Sequence, residues 1–251
     1  MSKNNIVAIV QARTGSTRLP SKILKKILDK PMLLLMLERL SKSNLIDKIV
    51  VATTTNKEDD VLENLSKSIG FNVFRGSMLD CLDRYYQTAK YYDAKIILKI
   101  TSDCPLIDPV IVDDVIQYFL NNKNKYDYVS NVRPPTFPDG LDVEIFTFSV
   151  LENAWNNATD PNHREHTTTF IHSQPKKFKI GNFSMPENQN LFFSHRWTVD
   201  YLEDFEFIKQ IYENLYNDKN IFLMNDILLF LKKHPDVLAI NHHLVSKNSV
   251  H

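Results

Sequence analysis

The sequence is poor in cysteine and glycine and has no excess of charge of either sign. Its 251 residues include only two cysteines, Cys81 and Cys104, and five glycines. Two cysteines are too few for a disulfide scaffold, and their spacing is not that of a metal site. Thirty basic and thirty acidic residues balance to a net charge of zero, which argues against a nucleic-acid partner. With 11% aromatic residues, the chain is also unlike a disordered protein.

Long hydrophobic runs are absent as well. The apolar run at residues 6–10 has five members and does not resemble a secretory signal. The longer run at residues 31–37 is too short to span a bilayer. We therefore expect a soluble, cytoplasmic protein with no membrane partner.

Short apolar runs alternate with helical patterns in the first half of the chain. The runs predict strands at residues 5–10, 48–52, 72–74 and 95–100. Helices are predicted at residues 32–41, 59–69, 78–92 and 109–120, the third with Ser77 as its N-cap. This alternation predicts an α/β fold with a mostly parallel sheet that is flanked by helices and binds ligands beyond the carboxyl ends of its strands.

The second half of the chain is less regular. Strands are predicted at residues 127–131, 142–148, 178–183 and 196–199, and helices at 150–158, 163–172, 204–216 and 225–234. No glycine- or serine-rich linker separates the halves. We predict one domain over residues 1–240, with the second half inserted over the sheet, and a polar tail at 241–251.

The loop after the first strand concentrates positive charge. Arg13, Arg18 and Lys22 lie among four hydroxyl side chains and Gly15, and the first acidic residue of the chain is Asp29. Such a loop can bind polyphosphate through backbone N–H groups, hydroxyls and cations. Its spacing is not that of a Walker loop. A solvated basic loop is the plain alternative.

Two aspartates, Asp103 and Asp200, each follow a predicted strand. Carboxylates at such positions can hold Mg²⁺ over a bound phosphate chain. Asp103 can instead form a turn before Pro105, and the acidic residues after Asp200 can cap the next helix. Together with the basic loop, the pair favours metal-assisted phosphoryl or nucleotidyl transfer.

The pattern Q-A-R-x-G-S-x-R-L-P-x-K at residues 11–22 resembles the signature of cytidylyltransferases that activate sugar acids, the CMP-KDO and CMP-acylneuraminate synthetases. The resemblance is strongest to their SpsF-like branch, and residues 101–105, 138–144, 164–166 and 196–204 also resemble it. It implies a nucleotide-diphospho-sugar transferase-like (Rossmann-like) fold with an inserted acceptor and dimerisation region, in which residues 5–125 bind nucleotide and 126–200 the acceptor. It also implies CTP and Mg²⁺: an acceptor oxygen attacks the α-phosphate and releases pyrophosphate, in surface polysaccharide precursor synthesis.

The resemblance also assigns roles to individual residues. It implies that the catalytic residues are Arg13, Lys22, Asp103 and Asp200, and that the two aspartates hold the metal. The implied nucleotide-binding residues are Gln11, Ala12, Arg13, Gly15, Ser16, Arg18, Lys22, Thr53, Arg75, Gly76, Asp83, Arg84 and Ser102. The candidate acceptor-binding residues are Asp139, Asp142, Glu144, Arg164, Glu165, His166 and Arg196. Arg164 or Arg196 can pair with an acceptor carboxylate, whereas the many acids suit an uncharged, amino-bearing or polyhydroxylated acceptor.

Two other functions fit the same kind of sheet. A nucleotide-sugar-dependent glycosyltransferase normally carries two aspartates around its metal, whereas residues 102–104 here contain one. A non-catalytic nucleotide-binding protein would have no need of both aspartates and all three loop cations. The aromatic residues between 170 and 193 can form a homodimer interface or cover the sheet.

Overall fold

Strands and helices alternate through the first half of the chain, as the sequence predicts. The computed structural model describes residues 4–186, 189–217 and 220–248. The strands are β1 (Ile6–Gln11), β2 (Lys26–Ile27), β3 (Lys30–Pro31), β4 (Lys48–Thr54), β5 (Asn72–Gly76), β6 (Ile96–Thr101), β7 (Tyr128–Ser130), β8 (Glu144–Thr147) and β9 (Ile180–Asn182). The α-helices are α1 (Met32–Leu40), α2 (Asp60–Ser68), α3 (Cys81–Tyr91), α4 (Pro109–Asn121), α5 (Phe148–Asn157), α6 (Pro161–Glu165), α7 (Thr169–His172), α8 (Leu202–Leu215), α9 (Met224–Lys233) and α10 (Pro235–His242).

Within the described residues, seven strands form one mixed sheet in the order β5-β4-β1-β6-β8-β7-β9. β1 lies between β4 and β6 and is parallel to both, so that Gln11 pairs with Ala52 and with Thr101. β8 is antiparallel to β6 and to β7. The predicted fold class, a mostly parallel sheet flanked by helices, is confirmed. The segments that follow β1, β4 and β6 therefore leave the sheet at the same edge.

Helices cover both faces of the sheet. Alternate residues of β1 point to opposite faces: Ala8 and Val10 join a core with residues of α1, α4 and α8, whereas Val7 and Ile9 join a core with α3 and α5. Because both faces are buried, the strand is apolar at every position except its last, Gln11. That polar residue marks the point where the strand reaches the ligand-binding edge.

α3 begins three residues later than the sequence predicts. Its N-cap is Asp80, whose carboxylate accepts a hydrogen bond from the N–H of Asp83, and not Ser77. Ser77 instead accepts from the N–H of Asp80. Leu79, which lies within the predicted helix, is therefore outside α3 and 84% exposed.

Two predictions for the second half are wrong. Residues 196–199 form no strand, because Arg196 makes only an isolated bridge with Asp139 and the hydrogen bond from the N–H of Val199 goes to the carbonyl of Asp103. The predicted helix at 163–172 is broken at His166, whose backbone leaves the helical region between α6 and α7. The break places Thr167 and Thr168 in buried positions.

The folded domain extends beyond the predicted boundary at residue 240. Helix α10 crosses that boundary, and the side chain of Asn241 is buried where it donates to the carbonyl of Arg196 and to Asp204. Asn248 donates to the carbonyl of Phe192. Residues 241–248 are thus part of the domain, and only 249–251 of the predicted tail lie outside the described residues.

None of the helices in residues 4–186, 189–217 and 220–248 has the length and apolar character that crossing a membrane requires.

Candidate active site

The cationic loop between β1 and β2 is held in shape by a carboxylate from the neighbouring crossover. Asp59 accepts hydrogen bonds of 2.8 Å from both the N–H and the hydroxyl of Thr14, and its other oxygen accepts from the hydroxyl of Thr54. Burial alone would raise the pKa of Asp59, but the hydrogen bonds from Thr54 and Thr14 bring it below its usual value. The centre of the loop is therefore fixed to the end of β4.

The far end of this loop meets both predicted metal-binding aspartates. The ammonium group of Lys22 lies 3.1 Å from Asp103 Oδ2 and 3.1 Å from Asp200 Oδ1, and it donates to the carbonyl of Val199 at 2.6 Å. Arg18 Nη2 lies 2.7 Å from the same oxygen of Asp200. Burial lowers the pKa of Lys22, but the two carboxylates outweigh it and raise the pKa overall. The structure thus brings the loop cations and the aspartates together.

Asp200 is positioned from behind by a buried arginine. Arg196 is 2% exposed and forms ion pairs with Asp200 at 3.1 Å, with Asp204 at 3.0 Å and with Asp139 at 3.3 Å. Asp204 also accepts hydrogen bonds from the N–H groups of Asp200 and Tyr201. The acceptor roles of Arg196 and Asp139 stay predictions, and in this structure these two side chains pair with each other in the protein interior.

The other two acids of that motif likewise have partners within the protein. Asp142 lies before β8, accepts from the N–H of Gly140, and has its pKa raised to about 6 by burial, with the charges of Asp103 and Glu144 adding to the effect. Glu144, on β8, forms a buried ion pair with Lys99. Gly140 has a φ of +110°, and a Cβ there would lie 2.5 Å from the backbone of Thr198. The motif is therefore a tight structural turn against the segment that carries Asp200.

A cavity of about 420 Å³ opens at this edge of the sheet. It is lined by the loop cations, the ends of β1 and β6, the start of α3 and the break between α6 and α7. Eleven of its lining residues were predicted from the sequence: Gln11, Arg13, Gly15, Ser16, Arg18, Lys22, Arg84, Ser102, Asp103, Glu165 and His166. Asp200 is not among the lining residues, but two of its cation partners, Arg18 and Lys22, are.

Several predicted nucleotide-binding residues do not reach the cavity. Arg75 turns toward α2, where it pairs with Asp60 at 2.5 Å and Glu63 at 3.0 Å. Asp83 accepts from the indole N–H of Trp155 at 2.8 Å. Their nucleotide-binding roles stay predictions, and in this structure each side chain contacts a partner on an adjacent helix.

Three further predicted positions have a structural place instead. Ala12 and Thr53 are buried and do not line the cavity. Gly76 lies against Arg84, whose Cγ would be 3.0 Å from a Cβ at position 76. The nucleotide contacts predicted for these three residues are absent from the cavity wall.

Arg164, a predicted acceptor-binding residue, likewise has its partners within the protein. Its guanidinium binds Asp80 with two nitrogens, at 2.8 and 2.5 Å, and the carbonyl of Trp155. This contact ties α6 to the N-cap of α3 and leaves the neighbouring Glu165 and His166 at the cavity rim.

Eight lining residues were not predicted: Thr17, Ile23, Met78, Leu79, Cys81, Lys99, Thr101 and Thr167. Lys99 carried a usable signal, because it is the one charged side chain within β6, a strand that is otherwise apolar up to Thr101. Cys81 donates from its thiol to the side-chain oxygen of Gln11 at 2.9 Å. Met78 and Leu79 were missed because the sequence places them inside a helix, whereas α3 begins only at Cys81.

A cationic loop after the first strand, two convergent aspartates and a mostly parallel sheet covered by helices on both faces are together typical of a nucleotidyltransferase. The family described as cytidylyltransferase matches residues 7–227, and the chain belongs to that family. Over 97% of both chains it is 40% identical to an uncharacterized protein of Methanocaldococcus jannaschii. It is 30% identical to the spore coat polysaccharide biosynthesis protein SpsF of Bacillus subtilis, covering 93% of this chain and 96% of SpsF.

The fold agrees with this assignment. A cytidylyltransferase structure from Leptospira borgpetersenii superimposes with a TM-score of 0.87 at 36% identity, covering 93% of this chain and 96% of the other. The resemblance to SpsF-like cytidylyltransferases that the sequence motifs indicated is therefore confirmed.

Proposed function

We propose that this enzyme transfers CMP from CTP to a sugar acid or related acceptor, with release of pyrophosphate. The observation that carries the proposal is the ammonium group of Lys22, which lies 3.1 Å from a carboxylate oxygen of each aspartate, Asp103 and Asp200, beside the cavity. Cations that can receive a leaving pyrophosphate and carboxylates that can hold a divalent ion thus lie within one ion-pair network.

The reaction forms one bond to phosphorus and breaks another. An acceptor oxygen attacks the α-phosphorus of CTP, the bond from that phosphorus to the bridging oxygen breaks, and the electron pair leaves with pyrophosphate. Arg13, Arg18 and Lys22 line the cavity and are placed to stabilise the charge that develops on the leaving group. Gln11, Gly15, Ser16, Arg84 and Ser102, which also line it, are the remaining proposed nucleotide contacts.

The donor set fits a hard divalent cation. Asp103 and Asp200 each place one carboxylate oxygen against the same ammonium group, and Mg²⁺ prefers oxygen ligands. No group of three or more His, Cys, Asp or Glu side chains in the described ranges is arranged to hold a metal, so phosphate oxygens would complete the coordination. When bound, Mg²⁺ would polarise the α-phosphate and neutralise charge at the reacting centre.

The acceptor and the setting complete the proposal. Glu165 and His166 at the cavity rim are proposed to bind acceptor hydroxyl groups. The relative SpsF acts in spore coat polysaccharide biosynthesis, and we place this enzyme in the synthesis of a surface polysaccharide precursor. We also place it in the cytoplasm, where CTP is available and the free thiols of Cys81 and Cys104 stay reduced.

A homodimer remains part of the proposal, with residues 126–200 as the acceptor half of each protomer. Phe170, Phe178 and Phe192 are buried and cover the sheet, whereas Phe193 is 72% exposed. The exposed ring is the place to test for a contact between protomers.

The experiment that tests the function is a screen for pyrophosphate release. Each of the four nucleoside triphosphates is combined with Mg²⁺ and with a panel of sugar acids, sugar phosphates and phosphonates. We expect release only with CTP and only when a sugar acid is present. Transfer of a sugar from a nucleotide sugar with release of a nucleoside diphosphate, or tight CTP binding with no turnover by any acceptor, would contradict the proposal.

A further inference from the structure

We propose that the side-chain amide of Gln11 distinguishes cytosine from uracil, and that the thiol of Cys81 fixes the amide in the orientation this requires. The inference rests on the proposed function, specifically on its use of CTP, and names the residues that select the base. Gln11 and Cys81 both line the cavity, and the thiol donates to Gln11 Oε1 at 2.9 Å. Gln11 is therefore the residue assigned to contact the base, and Cys81 is a positioning residue.

The alternation of side chains along β1 brings these two residues together. Because alternate residues of a strand point to the same face, Gln11 follows Val7 and Ile9 to the face that α3 covers. Cys81 is the first residue of α3 and belongs to the same core cluster as Val7 and Ile9. The contact therefore joins the end of the strand to the start of the helix, at the edge where the cavity opens.

The neighbours of the thiol determine where its hydrogen points. Arg84 Nη2, which can only donate, lies 3.5 Å from Cys81 Sγ, and the hydroxyl of Thr167 donates to the same sulfur at 3.4 Å. Since the sulfur accepts from both of these groups, its single hydrogen is directed to Gln11 Oε1. Cys81, Arg84 and Thr167 are all buried, which limits competition from water for these hydrogen bonds.

With its oxygen bound to the thiol, the amide of Gln11 offers only N–H donors to a ligand. In the part of the chain that the structure describes, Gln11 Nε2 has no hydrogen-bond acceptor. An unconstrained amide could rotate by half a turn and exchange its donor for its acceptor. Cytosine has an acceptor at N3, whereas uracil has an N–H donor there. A fixed donor therefore binds cytosine and opposes uracil.

The two ends of the cavity differ in a way that places the base beside α3. Leu19 and Ile23, which follow two of the loop cations in sequence, pack in the core with α1 and α8, whereas α3 covers the opposite face of the sheet. At the α3 end, Met78 and Leu79 line the cavity and are exposed. Apolar side chains can pack on the flat face of a base but cannot bind a phosphate. The triphosphate thus belongs at the loop end and the base at the α3 end.

The test measures nucleotide binding by calorimetry, with Mg²⁺ present and no acceptor. The probes are CTP, UTP and 3-deaza-CTP, in which a C–H group replaces N3 of the base. The variants are Gln11→Ala, Cys81→Ala, which removes the thiol, and Cys81→Ser, which keeps a hydrogen-bond donor. Thr88→Ala is the matched control, because Thr88 is a buried residue of the same helix that does not line the cavity.

We expect the wild type to bind CTP at least about tenfold more tightly than UTP or 3-deaza-CTP, the range of one hydrogen bond in a buried site. Cys81→Ala should reduce the preference for CTP over UTP by about fivefold, because the amide can then rotate and accept from uracil N3–H. Cys81→Ser and Thr88→Ala should keep the wild-type preference within about twofold. In Gln11→Ala, CTP and 3-deaza-CTP should bind equally.

Three results would overturn the inference: an unchanged CTP preference in folded Cys81→Ala, an equal loss of preference in Cys81→Ser, or equal binding of CTP and 3-deaza-CTP by the wild type. The last comparison needs no variant and decides the matter even where a variant fails to fold. The expected base preference without pyrophosphate release from any acceptor would contradict the proposed function but support this inference. A wild type that does not bind CTP would overturn both.

Discussion

Two sets of carboxylates lie at the active edge of this protein and differ in what they face. Asp103 and Asp200 pair with Lys22 and Arg18, cations that line the cavity. Asp139 and Asp204 pair with Arg196, which does not line the cavity, and are 3% and 0% exposed. The residue type is the same in both sets. What separates reactive from structural carboxylates here is the location of their partner cations.

The sharpest test of this contrast is Asp103→Asn. Because the proposed metal ligand is lost while the shape is kept, we expect turnover to fall by at least about 10³-fold with the melting temperature little changed. Asp93→Asn, at an exposed acid, is the control. Pyrophosphate release measures the effect, and turnover like that of the wild type would remove Asp103 from the mechanism.

The structural set is tested by Arg196→Met. The variant leaves Asp139, Asp200 and Asp204 without their shared cation, and removal of one partner from a buried ion-pair network costs about 3–5 kcal/mol. Denaturant unfolding should show this loss. Arg75→Gln, which breaks a more exposed pair with α2, should lose less than about 1 kcal/mol. Equal losses of unfolding free energy in both variants would contradict the claim that Arg196 holds a buried structural network.

The buried network around Glu144 also predicts a pH effect through His172. Burial and the nearby charge of Arg133 lower the pKa of His172 to about 4. The folded protein thus holds the proton less tightly than the unfolded chain, whose histidine has a pKa near 6.5. The stabilisation is complete above about pH 6.5 and is lost as the pH falls from there toward 4.

Between pH 7 and pH 4.5, the free energy of unfolding should therefore fall by about 1–2 kcal/mol less in His172→Gln than in the wild type. The difference is no larger because His172 is only partly buried. Urea unfolding at the two pH values measures this difference. The exposed His243 provides the control, His243→Gln, which should follow the wild type. Parallel losses in all three proteins would show that His172 is not the responsible group.

The smallest expected effect is a difference in CTP affinity between variants of Arg13 and Arg75, two arginines to which the sequence motifs assign a nucleotide-binding role. Arg13→Gln removes a cavity-lining cation and should weaken CTP binding by about tenfold. Arg75→Gln should change CTP affinity by less than about twofold, because Arg75 is bound to α2. Calorimetric titration with CTP distinguishes them, and a large loss from Arg75→Gln would place that side chain at the nucleotide.

Features that depend on local sequence could be predicted, whereas features that depend on distant partners could not. Strands such as β1 and β4 are local apolar runs, and the loop after β1 is a local motif, so their positions could be predicted. The direction of a long side chain depends on partners far away in sequence, as with Arg164 and Asp80, and could not. Residues 196–199 alternate in polarity because Trp197 and Val199 are buried, although no strand lies beside them.

The central claim is that the loop at residues 13–22 and the two aspartates Asp103 and Asp200 bind one nucleoside triphosphate and its metal. Crystals grown with Mn²⁺ and a non-hydrolysable CTP analogue test it directly by anomalous diffraction. We predict a manganese peak that contacts one oxygen of each aspartate, with the triphosphate on the loop. A peak that contacts neither aspartate, or a triphosphate bound away from Arg13 and Lys22, would contradict the claim.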